Sequence, residues 1–376
     1  MSAASQARSA YSAQTDSASA AAEIISQLGD HRPRLIVFFA TVEHDGAIIG
    51  NALAKRFPTA HIAGCSSNGE FTDRGYGTGG VAALSIGEEI VSAVASTLAI
   101  LDHGVEVGIL NAATALHSQV GLPIHALPAS SWVGIGLLEG AKGQEELINE
   151  SLGHIAPLIP FVGGSAGDRI RFDGTWVYAA GQLHHNACAL ILVRPVRPFA
   201  ILKTCHFTAS PIEVEITKAD PHKRLIHELD GQPAVDRYAQ LIGVARKDLS
   251  FPHFLANPLG LMIDGEPWLR SVVRPEGSSL FFACAMLEGM RMNLMTAGDI
   301  VQNAATAFDA ATAPLGVPPR AAILFNCAYR MLEVQLKGLE AAYHHALSSI
   351  PHAGFHSNGE SYLGHINQTL TGIVFS

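Results

Sequence analysis

The sequence predicts an α/β protein of mixed sheets with packed helices. Three observations carry that reading: three apolar strand candidates, a polar glycine-rich motif downstream of each, and a mostly helical stretch between strand and motif. The motif reads Gly64-Cys65-Ser66-Ser67-Asn68-Gly69-Glu70 in its first copy and Gly354-Phe355-His356-Ser357-Asn358-Gly359-Glu360 in its last, with the shorter Gly163-Gly164-Ser165-Ala166-Gly167-Asp168 between them. Leu35 to Ser67 is 32 residues, Val133 to Ser165 is 32, and Ile323 to Ser357 is 34. Three such spacings indicate an internally repeated strand-helix-strand unit.

Taken in order, residues 1–22 are mostly Ala and Ser, with Arg8 as the only basic residue and no apolar stretch, so they predict a disordered tail and not a signal peptide. The unit-opening strands are Leu35–Phe39, Trp132–Leu137 and Ala322–Phe325. After each motif a further strand is expected, at Val81–Ile86, Cys188–Val193 and Thr369–Phe375. In the third unit Leu332, Leu336, Leu339, Tyr343 and Leu347 fall on one face of a single helix. Pro195 and Pro198 break the pattern and set a domain boundary between 198 and 199. A different segment precedes the third unit. There Asp220-Pro221 opens a helix that Gly231 stops, a short helix covers Pro233–Leu241, turns at Asp264-Gly265 and Pro275-Glu276-Gly277 join strand pairs, and residues 298–312 are helical.

Composition excludes several classes. The chain has 376 residues, 48% of them hydrophobic and 15% charged, which suits two or three folded domains and not a disordered chain. Its net charge of −9, with no basic run, argues against nucleic acid or an anionic membrane as partner. The longest apolar runs fall well short of the roughly 18 residues that a membrane span needs. Five scattered Cys (65, 188, 205, 284, 327) form no C-x-x-C pair, so reduced thiols in a cytoplasmic protein are expected.

Ser-x-Gly-Glu has two readings. In one it is a turn whose Ser, Asn and acidic side chains bond the local backbone. In the other, repeated loops at the ends of equivalent strands gather at one rim and line a ligand site. The candidates are then Cys65, Ser67, Asn68, Glu70, Ser165, Asp168, Ser357, Asn358 and Glu360. Gly163–Gly167 matches G-x-S-x-G, but a nucleophile elbow leads into a helix and Ile170 onward alternates like a strand, so no catalytic constellation is predicted. The 18 His include no H-E-x-x-H. His352 and His356 are four apart, yet Pro351 and Gly354 disfavour a helix there. If 364–375 is one strand, His365, Asn367, Thr369 and Thr371 share a face that is either an exposed edge or a site lining.

These motifs, together with Ile216-Thr217-Lys218-Ala219, Glu228 through Ala234, Phe325 through Arg330 and Asn367-Gln368-Thr369, resemble the FIST signal-transduction family over nearly the whole chain from about residue 25. The resemblance implies a FIST N domain over 23–198 and a FIST C domain over 199–376, acting as a ligand-sensing module. The ending His365 through Gly372 is similar to the stand-alone haem-binding nitric-oxide sensors of the family. That likeness implies haem b and a histidine kinase or cyclic-di-GMP enzyme as partner. With no C-x-x-C-H, the haem would be noncovalent. His365 is then the first axial candidate for the iron and His356 the second, with Cys327, Arg330 and Asn367 as wall and propionate groups. The alternative is a haem-free module for an amino acid or other small polar ligand, with Glu70 or Glu360 taking an amine and backbone N–H groups a carboxylate.

Overall fold

Residues 7–376 are described by a computed structural model. The first unit comprises β1 (Ala7–Ser12), α1 (Ser17–Leu28), β2 (Pro33–Thr41), α2 (Gly46–Arg56), β3 (His61–Ser67), the hairpin β4 (Glu70–Thr72) and β5 (Tyr76–Gly77), and β6 (Val81–Gly87). The second repeats it with β7 (Val91–Ile100), α3 (Val105–Val120), β8 (Val133–Leu138), α4 (Glu145–Ile155), β9 (Phe161–Ser165), β10 (Val177–Ala179), β11 (Gln182–His184) and β12 (Ala187–Pro195). The third opens with β13 (Phe199–Thr204). An insert follows: β14 (Phe207–Asp220), β15 (Leu225–Leu229), β16 (Gln232–Pro233), α5 (Ala234–Leu241), α6 (Phe251–Ala256), β17 (Leu259–Ile263), β18 (Glu266–Arg270), β19 (Val272–Glu276), β20 (Ser279–Phe282) and β21 (Arg291–Ala297). The unit then resumes with α7 (Ile300–Thr312), β22 (Ala321–Cys327), α8 (Ala328–Leu336), α9 (Glu340–Leu347), β23 (His352–Ser357), β24 (Glu360–Tyr362), β25 (His365–Ile366) and β26 (Leu370–Phe375).

Each unit builds a sheet of one design, and each sheet borrows its outer hairpin from another unit. The orders are β1-β6-β2-β3-β10-β11, β7-β12-β8-β9-β24-β25 and β13-β26-β22-β23-β4-β5. Thus unit one lends its hairpin to the third sheet, unit two to the first, and unit three to the second. The exchange is cyclic, giving an approximate threefold arrangement. In each sheet one pair is parallel, β2 with β3, β8 with β9, and β22 with β23, and the helices between them are the crossovers a parallel pair requires.

Strand alternation explains the layering. Leu35, Val37 and Phe39 face a shared core with Val133, Ile135, Leu137, Ile323, Phe325 and Phe355, drawn from all three sheets. Phe39 and Phe355 meet there with ring centroids 4.8 Å apart. The other faces pack under helices: Ile36 and Phe38 against α1 and α2, Leu190 and Leu192 against α3 and α4, and Leu324 and Val374 against α7 and α9. Strands buried on both faces read as continuous apolar runs, which is why they stood out in the sequence.

Several expectations are corrected. Residues 7–22 are not a disordered tail: β1 pairs with β6, and Asp16 caps α1 by accepting from the Ser19 N–H at 2.8 Å. Ala10, Ala20 and Ala21 pack against Ile24 and Leu28, because small side chains let this layer sit close. The first six residues of the expected tail lie outside the described residues. Asp220 does cap the following turn, but only a 3-10 turn forms before β15, since Arg224 adopts a left-handed φ of 53°. The single helix expected around Leu332–Leu347 is two, broken at Gly338 with φ 65°, and Leu336 is left exposed. The strand expected over 364–375 is interrupted by Gln368 at φ 51°. Its second half, β26, is buried between β13 and β22 and is no edge.

Candidate ligand-binding site

The three motifs end equivalent strands. Thr41 pairs with Ser67, Leu138 with Ser165, and Cys327 with Ser357. Around the threefold axis the loops close a ring of backbone hydrogen bonds: Asn68 N–H donates to His356 O at 3.0 Å, Asn358 N–H to Ser165 O at 3.0 Å, and Gly167 N–H to Ser66 O at 2.9 Å. Asn68 Nδ2 also donates to Asn358 Oδ1 at 2.8 Å.

The carboxylates Glu70, Asp168 and Glu360 are wholly buried, and each holds its own connection. Glu70 accepts from Ser67 Oγ at 3.1 Å and Gly80 N–H at 2.7 Å. Glu360 accepts from Ser357 Oγ at 2.6 Å and from Thr369 N–H and Oγ1 at 3.1 and 2.6 Å. Asp168 accepts from the N–H groups of Arg171, Asp173 and Gly174. Burial pushes the Glu70 carboxyl up to about 8 and that of Glu360 up to about 7. The motifs therefore come together as a hydrogen-bonded hub, and of the nine loop candidates Asn358 reaches a described cavity. Burial pushes the Cys65 thiol well up, opposite to what a nucleophile needs, and Ser165 Oγ is buried with no hydrogen-bond partner among the described residues to serve as base.

The haem candidates separate. His356 is shut in a core with Phe71 and His344, its Nδ1 2.9 Å from Asn326 Nδ2, so the axial role expected of it does not fit. Arg330 is fully buried, bonded to Asn326, His206, Asn303 and Tyr343, so its guanidinium is already engaged and does not fit a propionate role. Cys327 precedes α8 in a cluster with Leu255 and Tyr329 and lines neither the His365 cavity nor the one that Asn358 reaches. Asn367 is buried, accepting from Ser271 N–H at 3.4 Å.

His365 is different. It lines a cavity of about 700 Å³ between α4, the β17–β18 hairpin and residues 363–365. Its Nε2 lies 3.3 Å from Ala283 O, while Nδ1 is buried with no partner among the described residues. Burial lowers its pKa, against the charges of Glu145 and Glu146, so the neutral imidazole is favoured. Arg270 lines the same cavity, and its Nε is likewise buried and unpartnered. Glu146 and Glu150 face it from α4, and Ile263, Trp268 and Leu363 give it apolar surface. Glu146 joins this cavity to an ion-pair knot: Arg224 lies 2.6 Å from both Glu145 and Glu146, and Glu146 accepts from Ala285 N–H at 2.7 Å. Sequence reasoning found His365 but missed Arg270, Trp268 and Glu146. No local pattern marks them, because docking of the insert brings them to His365.

The FIST N domain profile matches residues 34–232, and the FIST C domain profile matches residues 234–362. The chain belongs to the FIST family, whose domains are signal-transduction sensors that bind small ligands such as amino acids. An uncharacterized protein of Methanocaldococcus jannaschii is 24% identical over 282 residues, covering 70% of this chain and 54% of that relative, so this chain spans about half of the relative's length. Among the described residues no helix is long and apolar enough to cross a membrane.

Proposed function

We propose that the protein senses a small zwitterion of the amino-acid class in the His365 cavity and passes occupancy to a signalling partner through the insert. The observation that carries this is the pair of buried, unpartnered nitrogens, His365 Nδ1 and Arg270 Nε, lining one cavity with Glu146 and Glu150. Unsatisfied buried polar atoms are costly, and a ligand that pairs them recovers that cost. Arg270 suits a carboxylate, the glutamates an ammonium, and Ile263 and Trp268 a side chain. Calorimetry with the common amino acids tests the reading. Saturable binding that weakens at least tenfold in Arg270→Ala is expected, and no binding by any of them refutes it.

A second reading, noncovalent haem b sensing nitric oxide on behalf of a histidine kinase or cyclic-di-GMP enzyme, is favoured by one observation: the same cavity presents a buried imidazole whose Nδ1 has no partner among the described residues. The residues fit in part. His365 would take the axial position and Arg270 a propionate, while the nearby glutamates oppose a second propionate. When bound, haem would supply a site for a diatomic gas. A Soret band after reconstitution that is lost in His365→Ala supports it, and an unchanged band removes His365 from the role.

A further inference from the structure

A second cavity, of about 380 Å³, lies on the other side of the Arg224 knot. It is bounded by the Gly140–Gly143 loop, the 222–224 turn, strands β19 and β20, and Asn358. We infer that it binds a small organic anion joining a carboxylate or phosphate to an aromatic ring.

Charge is the first argument. Lys142, Lys223 and Arg274 line the cavity against one carboxylate, Glu145, in a chain whose net charge is −9; Arg224 also lines it but is engaged by Glu145 and Glu146. Glu145 is already paired with Arg224. Lys223 and Arg274 meet Asp220 at 3.5 Å and Glu276 at 3.0 Å, pairs that solvent weakens and an anion can displace. The Lys142 ammonium has no acidic partner among the described residues. An anion here gains cations from both halves of the chain.

The second argument is an aromatic edge held at a cost. Phe172 lines the cavity, 48% exposed, in a loop where Arg169, Ile170 and Phe172 all have φ near 60°. A β-branched residue such as Ile170 rarely adopts that conformation. The buried Asp168 carboxylate imposes it by taking three N–H groups, and Asn68 Oδ1 takes the Ile170 N–H at 2.9 Å. Strain maintained in this way to present an exposed ring marks a binding surface. Phe281 supplies a second ring, with the Arg274 guanidinium 4.2 Å over its face. The volume exceeds what inorganic phosphate fills and lies within the range of small-ligand pockets, roughly 300–1,000 Å³.

The hub motifs thereby acquire a purpose. Asn358 Nδ2 donates to Gly140 O at 2.8 Å, fixing the loop that carries Lys142, and Asp168 fixes the loop that carries Phe172.

Isothermal titration calorimetry with phenyl phosphate, benzoate, benzamide and inorganic phosphate tests the site. Phenyl phosphate or benzoate should bind once per chain, inorganic phosphate at least tenfold more weakly, and benzamide not at all. Lys142→Ala with Arg274→Ala should weaken the ring-bearing anion at least tenfold, and Phe172→Ala about fivefold, roughly 1 kcal/mol. All three residues are exposed, and circular dichroism melting verifies the fold. His365→Ala should leave this binding unchanged. The inference is overturned if neither ring-bearing anion binds at 10 mM, if binding survives the charge substitutions, or if His365→Ala abolishes it, which would put the anion in the other cavity.

Discussion

Gly359 lacks a side chain because His365 occupies the space one would need: a Cβ at this position would stand 2.1 Å from the imidazole Cε1. The constraint is steric, so Gly359→Ala should displace the ring, cost about 1–3 kcal/mol in urea unfolding and abolish any His365-dependent binding. Unchanged stability and binding would show that the ring does not depend on that space. The buried imidazoles around Phe71 make a second statement at this scale. Burial pushes His344 down to about 3 and His356 well below its usual value. Unfolded His takes its proton near 6.5 and the native groups do not, so these residues cost stability as pH falls from about 6.5 toward 3. Glu70 and Glu360 act oppositely. Their raised carboxyls keep protons that the unfolded chain releases near 4.5, so the stability they contribute is full below about pH 4.5 and is lost as pH rises from there through about 7 to 8. Urea midpoints measured across pH 4–9 should flatten below about pH 6.5 in His344→Phe and between about pH 4.5 and 8 in Glu70→Gln. Parallel shifts at every pH would contradict both assignments.

Among the elements, the motifs take the turn reading of Ser-x-Gly-[Glu/Asp], and of their ligand candidates Asn358 lines a described cavity. Each acidic side chain in Ser-x-Gly-[Glu/Asp] ties its hairpin or loop to the hub, which is the turn chemistry the sequence allowed. The segment after Asp168 carries the greatest strain and has the most to lose. Asp168→Ala leaves three N–H groups without their acceptor and should destabilise the protein by about 1–3 kcal/mol. Hydrogen exchange should speed at Asp173 and Gly174 while β8 and β9 stay protected. Uniform acceleration would mean that the loop and the sheet unfold together. Helix prediction failed where one residue overrode periodicity. Gly338 splits α8 from α9, although the apolar positions keep their helical spacing across the break.

For the whole molecule, the cyclic exchange of hairpins binds the halves together. Hairpin β4–β5 has its partner strand in β23, and hairpin β24–β25 has its partner in β9. A cut between 198 and 199, the boundary that Pro195 and Pro198 suggest, strands both. Residues 1–198 and 199–376 produced separately should be insoluble or unfolded, since each leaves an unpaired edge and part of the shared core exposed. Co-expression should recover a soluble complex. A cooperative melt from residues 1–198 alone would show that the exchange is dispensable.

The sequence by itself determined the repeat, the strands and the turns. A strand buried on both faces must be apolar throughout, and a loop that needs a buried acceptor must carry one, so both leave marks readable at short range. His365 also stood out, as the one imidazole following the third motif on a polar run. What only the tertiary structure decided is which sheet each hairpin joins, and what stands opposite His365. Both depend on contacts between segments that are distant along the chain, such as Arg224 with Glu145 and Glu146 or the insert docked on α4, and no spacing rule records such contacts. The physical reason is the same in each case. Backbone hydrogen bonds and burial are satisfied locally by residue type, whereas a binding cavity is the space left between surfaces that meet when the chain folds.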